Sequence, residues 1–171
     1  MRRLGISFSS TMQNAELEAP ISPSGVTNLL QRTRAEQLVA ATALLACLPT
    51  MVVLALLIRV ESAGPVVYRQ RRLGKDGQTF TIYKLRSMRN DAEAGGRAVW
   101  SSPGDPRVTW VGRFLRWTHL DELPQLINIA RGEMSFIGPR PERPEIVAEL
   151  EREIDGYRDR LKVLPGLTGL A

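Results

Sequence analysis

The sequence predicts an α+β chain, mainly helical and membrane-associated, with one short β-hairpin and a proline-broken apolar helix as its anchor. Three observations predict it. From Gln37 to Ile58 run 22 residues without a charge, bracketed by Glu36 and Arg59. Two β-rich runs, Val66-Val67-Tyr68 and Phe80-Thr81-Ile82-Tyr83, flank Lys75-Asp76-Gly77, and Asp-Gly is a strong hairpin signal. Beyond Pro106 the apolar residues recur at helical rather than alternating spacing.

Composition bounds the function before any motif does. The chain has 171 residues, of which 43% are hydrophobic and 24% charged, enough apolar content for a packed core. Lys and Arg number 23 against 18 Asp and Glu, a formal charge of +5. That excess points to an anionic partner: nucleic acid, phospholipid or a phosphorylated substrate. One Cys and one His exclude a disulfide framework, a zinc finger and any Cys/His cluster. The lone Cys47 reads as a small apolar side chain.

Taken in order, residues 1–30 form a polar lead rich in Ser, Asn and Pro, predicted to be disordered. It is no signal peptide, because the apolar stretch starts too far along and no cleavage site follows. Residues 31–60 are the membrane helix, since 22 uncharged residues rise ~33 Å, about the thickness of a bilayer core. Pro49 lies in its middle, where it removes a backbone hydrogen bond and predicts a kink. Arg32 and Arg34 precede the helix, and Arg59, Arg69, Arg71, Arg72 and Lys75 follow it. Positive residues mark the cytoplasmic side. On charge alone a re-entrant and a spanning helix both remain open; Pro49 together with two positive flanks predicts re-entry, with residues 1–34 and 60–171 both cytoplasmic.

Residues 61–171 make the interfacial domain, on the cytoplasmic side. After the hairpin comes a Gly-, Ser- and Pro-rich loop from Asn90 to Pro106. A helix is predicted from Pro106 or Arg107 to about Trp117, with Asp105 as N-cap. Trp110, Phe114 and Trp117 share a face of it, near Arg107, Arg113 and Arg116. Aromatic and basic residues together suit a membrane interface, and packing within the domain accounts for the aromatics equally well. A second helix is predicted from Leu120 to Arg131, ended by Gly132. A third runs from Pro144 to about Lys162, with Ile146, Val147, Leu150, Ile154, Tyr157 and Leu161 on one face and Glu149, Arg152, Glu153, Asp159 and Arg160 on the other.

The candidate chemistry sits in His119-Leu120-Asp121-Glu122-Leu123-Pro124-Gln125-Leu126. Adjacent carboxylates in a first helical turn have an ordinary role in capping and in favouring the helix dipole. The same placement stabilises an ionised carboxylate, as a nucleophile or a magnesium ligand requires. Gly138-Pro139-Arg140-Pro141 adds a guanidinium on a stiff loop, suited to gripping phosphate oxygens.

At this point the chain resembles the monotopic phosphoglycosyl transferases, the bacterial sugar transferase family that begins glycan assembly on polyprenyl phosphate. The resemblance runs from about Arg32 to Ala171. It rests on the apolar segment interrupted at Pro49, Gly64-Pro65-Val66-Val67-Tyr68-Arg69-Gln70, Tyr83-Lys84-Leu85-Arg86-Ser87-Met88 and Asp105-Pro106-Arg107-Val108-Thr109. The same order continues in Leu120-Asp121-Glu122-Leu123-Pro124-Gln125-Leu126, Gly138-Pro139-Arg140-Pro141 and Pro165-Gly166-Leu167-Thr168-Gly169. The resemblance implies that residues 61–171 are catalytic. Asp121 would attack the β-phosphate of a UDP-sugar, release UMP and hold the phosphosugar until polyprenyl (undecaprenyl) phosphate takes it. Glu122 would join Asp121 in holding Mg2+ or in proton handling. Lys84, Arg116 and Arg140 would supply positive charge to the phosphates, with Arg86 a weaker candidate.

The resemblance also implies membrane lipid as a partner and the bacterial inner (cytoplasmic) membrane as the location, in exopolysaccharide or related glycan assembly. The chain departs from the family in carrying Leu48-Pro49 for the usual Ser-Pro and Leu164-Pro165-Gly166 for Arg-Pro-Gly. Members usually continue some tens of residues beyond Ala171, so this chain is expected to be C-terminally short and impaired. The competing reading is a non-catalytic basic scaffold on the membrane that binds acidic partners. The apolar segment and the Asp121-Glu122 pair speak against a nucleic-acid partner. No Gly-x-Ser-x-Gly elbow is present, which removes a serine hydrolase. The sugar and the oligomeric state are not legible.

Overall fold

The computed structural model describes residues 23–92, 102 and 104–169, with side chains from residue 33 onward. The chain divides after Arg32, and apart from the start of the first helix everything described below lies in the unit beginning at Thr33. Residues 1–22, most of the predicted lead, lie outside the described residues, as do 93–101 and 103 of the predicted loop.

Helix α1 runs from Pro23 to Glu61. It begins inside the stretch that composition assigned to the lead. Pro49 lies within this single element, so the proline interrupts backbone hydrogen bonding without dividing the helix in two. From Thr33 to Glu61 it is long and apolar enough to cross a membrane, with mean hydropathy 2.5. One stripe packs against the domain. Ala40 meets Ile82, Leu126, Ile129 and Met134 in one cluster, and Leu54 and Ile58 meet Leu85, Val111 and Leu115 in another. The opposite stripe, including Leu38, Leu45, Val52, Leu56 and Val60, is exposed.

The predicted hairpin is present. Strands β1 (Val67–Leu73) and β2 (Thr79–Leu85) pair antiparallel, with Tyr68 opposite Lys84 and Arg72 opposite Phe80. Asp76 and Gly77 adopt positive φ in the connecting turn, as Asp-Gly allows. Strand alternation puts Tyr68, Gln70 and Arg72 on one face.

Three helical boundaries differ from the sequence reading. Helix α2 spans Trp110–Thr118, and its N-cap is Thr109, whose hydroxyl accepts from the Gly112 amide at 3.0 Å. Asp105 instead folds onto Arg107, accepting from its amide at 3.0 Å and from its guanidinium at 2.6 Å, which holds the Asp105 pKa at about 2. The predicted helix at 120–131 is a 3-10 turn, Leu120–Gln125, followed by the short helix α3, Leu126–Ala130. Pro124, which has no amide hydrogen, lies in that turn and cannot contribute to an α ladder. The third helix, α4, stops at Glu153. Gly156 turns the chain at φ 75°, and a second 3-10 turn covers Tyr157–Lys162. The stretch 154–161 is thus a turn that buries Leu161 and leaves Ile154 exposed, not a continuing helix.

One element went unread. Strands β3 (Ser135–Ile137) and β4 (Gly166–Thr168) pair in parallel, so the fold has a second small sheet beside the hairpin. Their approach depends on glycine. A Cβ on Gly166 would lie 2.1 Å from the Gly138 amide nitrogen, closer than any side chain tolerates. The Gly-Pro pairs of two motifs, Gly138-Pro139 and Pro165-Gly166, therefore meet backbone to backbone.

Candidate active site

Asp121 and Glu122 lie in the 3-10 turn between α2 and α3. The turn opens at His119, whose φ of 57° ends α2 and swings the chain back. His119 thus ends α2 and begins the 3-10 turn. Asp121 is 8% exposed, and among the described residues no other side chain hydrogen-bonds it. Glu122 is differently placed. Its Oε1 accepts from Lys84 Nζ at 2.7 Å and from Arg140 at 2.6 Å.

The two carboxyls are accordingly driven apart. Burial pushes Asp121 above the ordinary carboxylate range, although Lys84 and Arg116 pull it back. Burial also opposes the charge on Glu122, but Lys84 and Arg140 outweigh it and hold its pKa below the usual range. Glu122 is a fixed anion that gathers two cations. The Asp121 carboxyl accepts from its own backbone amide and, among the described residues, from no other side chain.

A cavity of about 980 Å³ opens on this pair. Its wall includes Lys84 from β2, Arg116 from α2, Arg140 from the 138–141 loop, Arg86 and His119. The structure therefore brings every sequence-predicted site residue of the domain to one cavity. Pro49, the predicted membrane break, lies apart in α1. Arg116 Nε donates to Ser87 Oγ at 2.9 Å, which orients the guanidinium. Arg86 is committed elsewhere: it donates to the Ser62 carbonyl at 2.6 Å and the Ala63 carbonyl at 3.1 Å, clasping the chain just after α1.

Sequence reasoning missed part of the site. Ser87 stands in a quoted motif but carried no assigned role. Tyr68, Gln70 and Arg72 extend the cavity along β1, joined by Arg143 from the start of α4. Period-2 spacing in β1 was the available signal for these three β1 residues, and Arg69 from the other face also lines the cavity.

Comparison with known proteins is decisive here. Residues 27–171 match the family described as bacterial sugar transferase. The chain belongs to that family. It is 45% identical over 149 residues to the UDP-glucose:undecaprenyl-phosphate glucose-1-phosphate transferase of Escherichia coli (strain K12), covering 86% of this chain and 32% of that one. It is 47% identical over 123 residues to the UDP-N-acetylgalactosamine-undecaprenyl-phosphate N-acetylgalactosaminephosphotransferase of Aeromonas hydrophila, covering 72% and 29%. A UDP-glucose:undecaprenyl-phosphate glucose-1-phosphate transferase of Caulobacter vibrioides (strain ATCC 19089 / CIP 103742 / CB 15) is 46% identical over 135 residues, covering 78% and 50%. The chain thus spans half or less of the length of these three relatives.

The family implies magnesium. Among the described residues no group of three or more His, Cys, Asp or Glu forms a protein-only metal site. Magnesium is commonly held by one or two carboxylates together with substrate phosphates. Asp121 and the second oxygen of Glu122, which takes no ion pair, fit such a half-site.

Proposed function

We propose that this chain transfers a sugar 1-phosphate from a UDP-sugar to polyprenyl phosphate through a covalent intermediate on Asp121. The observation that carries the reading is the division of labour between adjacent carboxylates in one basic cavity. Glu122 is tied to Lys84 and Arg140, while Asp121 is buried and, among the described residues, bonded by no other side chain. A nucleophile needs the second condition, and an organiser of cations the first.

In the first step an Asp121 oxygen bonds to the β-phosphorus of the UDP-sugar. The bond from that phosphorus to the α–β bridging oxygen breaks, and UMP leaves with the bridging oxygen. In the second step a phosphate oxygen of the polyprenyl phosphate attacks the same phosphorus. The bond to Asp121 breaks, which restores the carboxylate and yields the polyprenyl diphosphate sugar. Arg116 and Arg140 offset the negative charge that gathers at phosphorus, and Lys84 keeps Glu122 and its neighbourhood charged as required. Magnesium, held by Asp121 and Glu122 with the diphosphate, would supply further charge neutralisation.

The setting agrees with a lipid acceptor. Both ends of the apolar stretch of α1 are fastened to the same domain. Ser135 Oγ donates to Glu36 at 2.6 Å, and the Trp110 amide at the start of α2 donates to Glu61 at 2.6 Å. Beside Glu61, α2 turns Trp110 and Trp117 outward at 73% and 81% exposure, a chemistry suited to the headgroup layer. We read α1 as re-entrant, on the cytoplasmic face of the bacterial inner membrane, where nucleotide sugars are available.

The test is direct. Membranes carrying the full chain are incubated with undecaprenyl phosphate, Mg2+ and either UDP-glucose or UDP-N-acetylgalactosamine, and UMP is measured. UDP-sugar alone should leave a phosphosugar adduct on the peptide containing Asp121. Turnover without any adduct would mean direct transfer in one displacement. Specific binding of acidic partners with no UMP from any UDP-sugar would favour the scaffold.

A further inference from the structure

Arg140 reaches Glu122 from a loop that is itself gripped at its backbone. On one side Arg72 of β1 donates to the Pro141 carbonyl at 3.0 Å and pairs with Glu142 at 3.2 Å. On the other, Arg160 donates to the carbonyl of Arg140 itself at 2.6 Å. Arg160 is fixed in turn: its guanidinium lies 4.7 Å from the centre of the Tyr157 ring, and it donates to the Tyr157 hydroxyl. Arg72 lines the large cavity and so can meet a ligand there. Arg160 does not. It lies in the packed contact between the loop and the 3-10 turn Tyr157–Lys162.

We propose that Arg160 is a positioning residue for Arg140. By holding the Arg140 carbonyl, it fixes where that guanidinium enters the cavity and keeps it on Glu122. The sequence pattern put Arg160 on a solvated helix face, and the break at Gly156 redirects it inward. A side chain that never enters the cavity, yet bonds the backbone of one that does, acts through its partner. Prolines on both sides of Arg140 limit local flexing, so the remaining freedom is motion of the loop as a body. Arg160 removes that freedom from the side opposite Arg72.

The activity arm of the test rests on the transferase reading, and a second arm is independent of it. In a double-mutant cycle on the full chain, Arg160→Met should lower kcat/KM for UMP release roughly tenfold, mainly through kcat. Arg140→Met should lower it at least as much, and the double variant no further than Arg140→Met alone. A role confined to stability would instead give multiplicative losses. Independently of turnover, phenylglyoxal modification of Arg140, followed by peptide mass spectrometry, should be at least threefold faster once Arg160 is replaced. Arg160→Gln is read in both arms if Arg160→Met fails to fold. Multiplicative losses, or unchanged Arg140 reactivity, overturn the proposal. A wild-type chain that releases no UMP overturns the transferase reading, and the modification rate then decides the positioning role by itself.

Discussion

Asp121 carries opposite demands on stability and reactivity. Its folded-state pKa is raised, so the protonated form is favoured by folding. The stability this contributes is complete below the ordinary value of 3.8 and is lost as pH rises through the folded pKa. Ionising the buried Asp121 as pH rises through that pKa carries a cost that Asp121→Asn does not bear. The variant should lose all turnover and adduct formation, while its Tm at pH 7 equals or exceeds that of the wild type. The difference should shrink toward pH 4. A Tm clearly below wild type at pH 7 would show that the carboxylate supports the fold, and retained turnover would end its role as nucleophile. Glu122 has the reverse sign, because its lowered pKa contributes stability above 4.5 that fades as pH falls through the folded value. Lys84 serves both groups, through its 2.7 Å contact with Glu122 and its charge beside Asp121. Lys84→Met should raise both pKa values, move the acid limb of the rate profile upward and reduce kcat/KM by about 10²–10³. An unmoved acid limb would place Lys84 outside the electrostatics of the pair.

At the scale of elements, the second sheet is the sharpest case. β3 and β4 approach so closely at Gly138 and Gly166 that no Cβ fits. Gly166→Ala should destabilise the domain by about 1–3 kcal/mol, read as a lower urea midpoint. It should also reduce UMP release, because the same loop carries Arg140. An unchanged midpoint would mean that the two strands separate without loss. This sheet also shows what a sequence conceals. The hairpin was legible because its turn chemistry and both strands lie within one short stretch. β3 and β4 are short and lie far apart in the chain, so nothing local announces their pairing. The helix read as far as Lys162 failed for a related reason: Ile154, Tyr157 and Leu161 keep helical spacing across Gly156, and only its positive φ ends the helix. The site divides along the same line. Asp121, Glu122, Lys84, Arg116 and Arg140 stood in quoted motifs. The contacts of Ser87 with Arg116 and of Arg160 with Arg140 are tertiary, and their residue types alone carry no signal of them.

The whole molecule turns on how an apolar helix can be held at both ends by a charged domain. Glu36 and Glu61 are roughly 38 Å apart along a straight helix, more than the hydrocarbon thickness of a bilayer. A spanning helix would leave one of them on the far side from the domain. Yet Glu36 accepts from Ser135 and Glu61 accepts from the amides of Trp110 and Val111. Breaking either set would cost those hydrogen bonds, and would expose the clusters that Ala40, Leu54 and Ile58 complete. Among the described residues of α1, the exposed stripe, with Val60 at 86% exposure, is the face that the domain leaves uncovered. This predicts that the residues flanking the uncharged stretch Gln37 to Ile58 share one side of the membrane. With Cys47, the sole cysteine, changed to Ser, a Cys at Ala35 and another at the exposed Gln78 supply the probes. Neither should react with an impermeant maleimide in spheroplasts, and both should react in inverted vesicles. Labelling at one position only in spheroplasts would mean that α1 spans, and that its contacts with Ser135 or with α2 are lost in the bilayer.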